Sequence, residues 1–336
     1  MKRYILIAAG LSVFAASDVQ AQANACPPGT ATGGIPDRQR ATQDACQMAV
    51  DVFQFMAPQL GLALAGGNAT LGQASTLGGL GHFSIGVRAN VFKGDLPEVQ
   101  NFPTPSLTGR TPRTLPTTSK IIGLPTADVA IGLFGGLPLA LTNVGGVDLL
   151  LSAAYLPTIG NAGSSVQINP DYSLKLGYGA RVGLLSESIL VPGVSLTFLR
   201  RELPTTLITG TSPNLEVSVQ DVRVRTDSYR IVASKSLLLF GVAAGVGRDT
   251  YDQSALAQGF ITTGAVTTAS DPIALRQKVS RTNVFLDASM NLPFFKLSAE
   301  IGHASKISDI TTFNTFSGAE PGDARTYGSV GIRFGL

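Results

Sequence analysis

Residues 172–184 read Tyr-Ser-Leu-Lys-Leu-Gly-Tyr-Gly-Ala-Arg-Val-Gly-Leu. Tyr172, Leu174, Leu176, Tyr178, Ala180, Val182 and Leu184 take every second place. Ser173, Lys175, Gly177, Gly179, Arg181 and Gly183 fill the places between. A β-strand turns successive side chains to opposite faces, so the stretch predicts a strand with one apolar face and one face of small or charged residues. The same period recurs through the chain. Phe83, Ile85, Val87, Ala89 and Val91 alternate with Ser84, Gly86, Arg88 and Asn90, and Val129, Ile131 and Leu133 repeat the pattern. Val284, Leu286, Ala288, Met290 and Leu292 do so again, with Phe285 breaking the polar face. Phe295, Leu297, Ala299 and Ile301, then Val330, Ile332, Phe334 and Leu336, complete the set.

Segments of about ten residues that alternate in this way fit a transmembrane β-barrel, with one face to lipid and one to a polar lumen. A soluble β-sandwich also alternates, but its outward face is usually charged. Here the second face is glycine, serine or an isolated charge, which favours the barrel. A lipid-exposed sheet must also close on itself, because hydrocarbon tolerates no open edge. Strands are expected near 78–93, 122–135, 145–156, 172–186, 192–208, 214–235, 238–250, 278–291, 294–304 and 324–336. The connections largely alternate between short and long, the long ones being 94–121, 157–171, 251–277 and 305–323. The expected architecture is therefore all-β, an antiparallel transmembrane barrel of about ten strands. Recruiting 58–66 or part of 94–121 gives twelve.

Composition removes other classes. Of 336 residues, 44% are hydrophobic and only 14% charged, against the usual quarter. That balance is not one of disorder. Two cysteines cannot build a disulfide-rich scaffold or a multi-cysteine zinc module, and a net charge of +3 leaves no footprint for nucleic acid. No cofactor is implied.

The N-terminus reads as an export signal. Lys2 and Arg3 precede an apolar stretch from Tyr4 to Ala16, and small residues follow at Val19-Gln20-Ala21 or Ala21-Gln22-Ala23. The stretch is short of the roughly 20 residues that span a bilayer, so cleavage near residue 23 is expected. Export implies an oxidising compartment, in which Cys26 and Cys46 are expected to pair. After a loop rich in proline and glycine, Cys46, Ala49, Val50, Phe53 and Met56 form one helical stripe within 41–56. The division expected is a signal peptide at 1–23, a loop and helix at 24–77 that plug the lumen or cap it from the periplasm, and a barrel at 78–336.

Candidate chemistry is sparse. His82 shares the lumen phase with Ser84, while His303 shares the lipid phase with Ile301, so no common site is expected. His82 and Ser84 lack the third member of a catalytic triad. The glycine clusters at 177–183 and 241–247 lie inside strand patterns with no phosphate-binding Gly-Lys-Ser/Thr element. The lumen charges carry more. A tight turn at Leu292 and Pro293 would set Asp287 opposite Glu300, which calls for a cation between them, with Arg333 or Lys296 the candidates. Arg88, Lys175 and Arg181 share the lumen phase, and the set reads as a charge cluster that fills the interior, with a permeation or ligand role as the alternative. Tyr155, Tyr172, Tyr178, Tyr229 and Tyr327 lie near strand ends, where aromatic girdles form.

The last residues, Tyr327-Gly-Ser-Val-Gly-Ile-Arg-Phe-Gly-Leu336, resemble the C-terminal strand that outer-membrane proteins present to the barrel-assembly machinery, with Leu336 in place of the usual terminal aromatic. With Ala233-Ser-Lys-Ser-Leu237 and Gly245-Val-Gly247, the chain resembles uncharacterised bacterial outer-membrane β-barrel families. More loosely it is similar to the long-chain fatty-acid and aromatic-hydrocarbon transporter group, whose N-terminal segment plugs the lumen. The resemblance implies the bacterial outer membrane as location, with membrane lipid and the assembly machinery as partners. The expected function is passing or binding small hydrophobic molecules, not catalysis. The alternative is a structural or adhesive barrel acting through the loops at 94–121 and 251–277.

Overall fold

The computed structural model describes Cys26 and residues 36–139, 141–161 and 163–335. The expected signal peptide at 1–23 and the terminal Leu336 lie outside the described residues. The alternating segments form β1 (Phe83–Pro97), β2 (Thr117–Phe134), β3 (Gly146–Tyr155), β4 (Leu174–Leu185) and β5 (Gly193–Glu202). They continue as β6 (Leu215–Leu237), β7 (Phe240–Thr263), β8 (Ile273–Asn291), β9 (Lys296–Ala304) and β10 (Arg325–Gly335). Each strand pairs antiparallel with the next, and β10 returns to pair with β1, from Ser84 opposite Gly335 to Phe92 opposite Tyr327. The sheet is therefore closed, an up-and-down barrel with no free edge in its wall.

Burial follows the alternation. Ile85, Val87, Leu176, Tyr178, Leu196, Ile231, Val246, Val284, Leu286, Ile301 and Val330 are exposed on the outer surface. Their neighbours Ser84, Arg88, Arg181, Ser195, Arg230 and Ser329 are buried inside. An outer band of aliphatic side chains over a polar interior is the pattern that a bilayer demands of a barrel.

Several boundaries differ from the sequence reading. The first strand starts at Phe83, because Gly78, Gly79 and Gly81 take positive φ (105°, 104° and 92°) that a regular ladder does not accommodate. The strand expected over 192–208 stops at Glu202, where Pro204 has no amide to extend the ladder. Thr206–Ser212 then pairs separately with the far end of β6 and with Val166–Pro170. The loop expected over 251–277 is mostly strand, since β6 and β7 run on as one long hairpin and the connection to β8 shrinks to 264–272.

The interior is filled by the N-terminal segment. Helix α1 (Pro36–Ala65) packs mainly on the inner faces of β6 and β7, and residues 66–82 continue from it to the start of β1. The helix is longer than the expected 41–56 and takes in 58–65, which removes the segment 58–66 as a source of extra strands. Packing overrides the poor helix propensity of Gly61, which lies against the Tyr251 ring. The helix lies close against the wall at Gly259, where a Cβ would stand 2.4 Å from the backbone between Ala45 and Cys46. Phe55 stacks on Phe316 with ring centroids 4.0 Å apart, and Val217, Val219, Val224, Ala255 and Ala257 join the helix in the same buried cluster.

The plug has a direction. The helix N-terminus lies level with the long connections, and the coil after it ends at the short-turn side, where Gly79 meets Gly132 and Gly135. Cys26 and Cys46 are joined at the long-loop end, closing a loop over a sequence separation of 20. In loop-entropy terms this is worth about 3 kcal/mol.

Candidate functional site: the lumen charge network

The site grows from an unsolved problem at the end of α1. A helix leaves its last carbonyls without partners, and no basic residue occupies the last turn of α1. The barrel wall supplies the donors. Asn90 Nδ2 donates to the carbonyls of Leu62 and Ala63, both at 3.0 Å. Arg201 Nη1 donates to the carbonyls of Leu64 (3.3 Å) and Ala65 (3.2 Å), and Arg230 Nη2 donates to Ala65 at 2.6 Å. Arg88 Nη1 donates to Gly66 at 2.6 Å. Cations at the negative end of the helix dipole add to these bonds.

Each arginine is answered by a carboxylate on the wall. Arg88 Nε lies 2.6 Å from Asp128 Oδ2, and Arg201 Nη2 lies 3.8 Å from Asp128 Oδ1. Arg230 is 3.9 Å from both Asp249 and Glu300. Asp249 also accepts from Asn283 Nδ2 at 2.7 Å. Nearer the turns, Arg181 meets Asp148 at 2.6 Å and donates to Thr70 Oγ1 at 2.7 Å, while Asp148 accepts from the Leu77 amide at 3.1 Å. Burying charge is costly unless it is paired and hydrogen-bonded, and Arg88, Arg181, Arg201 and Arg230 each meet this by taking one partner on the wall and one on the plug. Both carboxylate oxygens of Asp287 and of Glu300 are buried without a hydrogen-bond donor among the described residues.

The residues singled out from the sequence divide as follows. Asp287 and Glu300 stand directly opposite each other. The cation beside them is Arg230, not Arg333 or Lys296, because Glu300 is opposite Ser329 while Lys296 and Arg333 face each other nearer the turns. Lys296 Nζ instead donates to Gly72 O at 2.7 Å and Arg333 to Gln73 Oε1 at 2.5 Å, fastening the coil. Arg88 and Arg181 are in the network. Lys175 is not: it lies at the outer end of β4, 3.7 Å from Glu202 and half exposed. Asp128, Asp148, Arg201, Arg230 and Asp249 were missed, although each shares a lumen phase with a buried neighbour and could have been found from it.

His82 and His303 are both exposed and lie at opposite ends of the barrel wall, His303 with Thr326 Oγ1 at 3.4 Å. Tyr155, Tyr172, Tyr178 and Tyr229 are exposed, but Tyr327 departs from the girdle. It is buried in the lumen because its ring covers Gly302 on the neighbouring strand, a cross-strand filling of the gap that glycine leaves.

At the long-loop mouth, two helix carboxylates seven residues apart latch the loops down. Asp44 accepts from the amides of Ser106 (2.7 Å) and Thr111 (3.1 Å) and pairs with Arg113 at 3.3 Å. Asp51 accepts from the amides of Phe313 (3.0 Å) and Asn314 (2.9 Å) and from Asn314 Nδ2 (2.7 Å). Burial raises both carboxyls above the ordinary range against these donors, Asp51 to about 6.

No family model matches this sequence, and no curated protein matches it. Among solved structures, the chain is similar to the transport unit of the Escherichia coli autotransporter AIDA-I, at 7% identity and a TM-score of 0.33, over 88% of this chain and 98% of that one. It is also similar to the Pseudomonas putida toluene transporter TodX, at 9% identity and a TM-score of 0.27, over 76% of this chain and 88% of that one. An anion-selective porin from Comamonas acidovorans matches at 12% identity and a TM-score of 0.18, over 76% of this chain and 98% of that one.

Proposed function

We propose that the chain is a bacterial outer-membrane barrel that stands closed, sealed by its own N-terminal segment, and that it acts through its long-loop face rather than as a standing pore. The observation that carries this reading is the set of Arg88, Arg201 and Arg230, whose guanidinium groups bond the carbonyls from Leu64 to Gly67 and so tie the plug to the wall. Removing the plug would strip four buried backbone acceptors of their donors and leave the arginines facing an empty lumen. Such a plug is part of the folded core. The deciding experiment is ion conductance across a planar bilayer. The reading expects no steady current from the wild-type protein, and a sustained ohmic current would overturn it.

A second reading is passage of small hydrophobic molecules, with the plug moving aside. It is favoured by the apolar contact of α1 with Val217, Val219, Ala255 and Ala257 in the upper lumen. It faces the polar layer around Arg181 and Asp148 beneath, which a hydrophobic solute must also pass. Uptake of such solutes that persists when α1 is cross-linked to the wall would remove this second reading.

A further inference from the structure

We propose that a groove on the outer wall, at the long-loop edge of the apolar band, binds the phosphate of a lipid headgroup in the surrounding membrane. The inference rests on the reading of the barrel as membrane-spanning and adds a ligand to a surface that the lumen network does not use. The groove holds about 540 Å³, and its charged lining is Lys175, Glu202, Arg223, Arg225, Asp252 and Arg276. Four cations against two carboxylates leave an excess of two positive charges in one concavity.

Strand lengths create the notch. β4 and β5 end at Leu174 and Glu202, while the β6–β7 hairpin continues past them. The pairing of β6 with β7 shifts between Gln220 and Arg223, and Asp221 takes a positive φ of 49°. A bulge re-aims the residues beside it, and here those include Arg223. Pairing then sets the charges side by side on the outer face. Arg225 stands between Glu202 and Asp252 in one row, and Ser254 between Arg223 and Arg276 in the next.

The ion pairs orient the donors without consuming them. Asp252 Oδ2 lies 2.6 Å from Arg225 Nη2 and 3.4 Å from Arg276 Nη2, so one carboxylate steers two guanidinium groups. Arg223 makes no ion pair among the described residues. Guanidinium groups match phosphate oxygens with paired hydrogen bonds, which suits three arginines around one anion better than scattered lysines would.

Depth selects the source of the phosphate. On β6 the outward side chains change from Ile231 and Tyr229 to Asp227, Arg225 and Arg223, and on β8 from Leu286 and Val284 to Thr282, Ser280, Lys278 and Arg276. Arg225 lies four residues past Tyr229, about 13 Å along the strand. With a strand tilt of about 45° that is roughly 9 Å of height, within the headgroup layer above an aromatic edge.

The test uses the full mature chain in a neutral detergent, titrated with a short-chain phosphatidic acid, the diacylglycerol of the same chains, and inorganic phosphate. Phosphatidic acid is expected to bind at least about tenfold more tightly than either control, the difference that one strong charged contact confers. Arg223→Gln/Arg225→Gln/Arg276→Gln is expected to lose that preference, while Lys120→Gln, at an exposed position elsewhere, keeps it. Equal binding of phosphatidic acid and diacylglycerol, or an unchanged triple variant, overturns the proposal. Inorganic phosphate binding as tightly as the lipid does so too, because it removes the lipid as the source. If the triple variant shows no folded band, Arg223→Gln decides alone, since Arg223 has no ion pair to lose. A loss of about threefold supports the site and no loss overturns it. Flotation with phosphatidylcholine vesicles distinguishes failure of the groove from failure of the membrane-spanning barrel. A chain that floats but ignores lipid phosphate loses only the groove, whereas one that does not float loses the membrane reading as well.

Discussion

Asp287 and Glu300 face each other across adjacent strands inside the barrel, and Arg230 reaches Glu300 from a third strand at 3.9 Å. Two carboxylates in one register position repel, so Arg230 compensates the pair at the same time as it caps α1 through Ala65. One guanidinium thus serves both the wall and the plug.

Asp287→Asn is therefore expected to be neutral or stabilising, by up to about 1 kcal/mol, because it removes a repulsion. Arg230→Ala is expected to cost on the order of 3 kcal/mol or more, since it strands buried carboxylates and a helix carbonyl. Urea unfolding in phospholipid vesicles measures both. The pair of changes together is expected to cost less than Arg230→Ala alone.

Arg201→Met keeps the volume of the side chain but removes its bonds to Leu64, Ala65 and Gly67. Asp128 keeps Arg88 as a partner, so the expected loss is moderate, about 2 kcal/mol. The readout is conductance: brief openings are expected in this variant where the wild-type protein shows none. A silent variant would mean that the carbonyl bonds are not what holds the plug.

The latch at Asp51 gives a pH dependence. Its folded-state value of about 6 lies above the ordinary 3.8 because burial disfavours the charge. The closed form then binds a proton more tightly than the opened form, so the latch strengthens as pH falls from about 6 toward 4 and is weakest above 6. Protection of the Phe313 and Asn314 amides, corrected for intrinsic exchange, is expected to rise by up to about tenfold per pH unit in that window. Asp51→Asn is expected to flatten the profile.

Cys26→Ser is expected to lower stability by about 3 kcal/mol in the loop-entropy argument. The loss falls on α1 first, because the bridge joins Cys26 to the first half of that helix. Exchange of helix amides is expected to speed up while the β1–β10 pairing is unchanged.

The wall was legible in the sequence because period two survives along most of each strand, even where Phe285 interrupts the polar face: its ring turns inward over Gly245. The opposition of Asp287 and Glu300 followed from a tight turn and simple counting. What stayed hidden depended on contacts distant in sequence. The helix reached Ala65 because the lumen enclosed it, not because Gly61 favours a helix. The partner of the carboxylate pair came from β6, about 60 residues away, and no local pattern around Arg333 or Lys296 could exclude them. The reach of the β6–β7 hairpin past residue 250 was obscured by Gly259, which falls in the stretch expected as loop but serves close packing against Ala45 and Cys46.

Helix α1 is held as an integral part of the folded barrel. Hydrogen exchange of residues 42–64 in the folded protein, followed by mass spectrometry, tests it most directly. The helix amides are expected to stay protected as long as those of β6 and β7 and to be lost together with them on unfolding. Helix amides that exchange within minutes while the strands remain protected would contradict the claim.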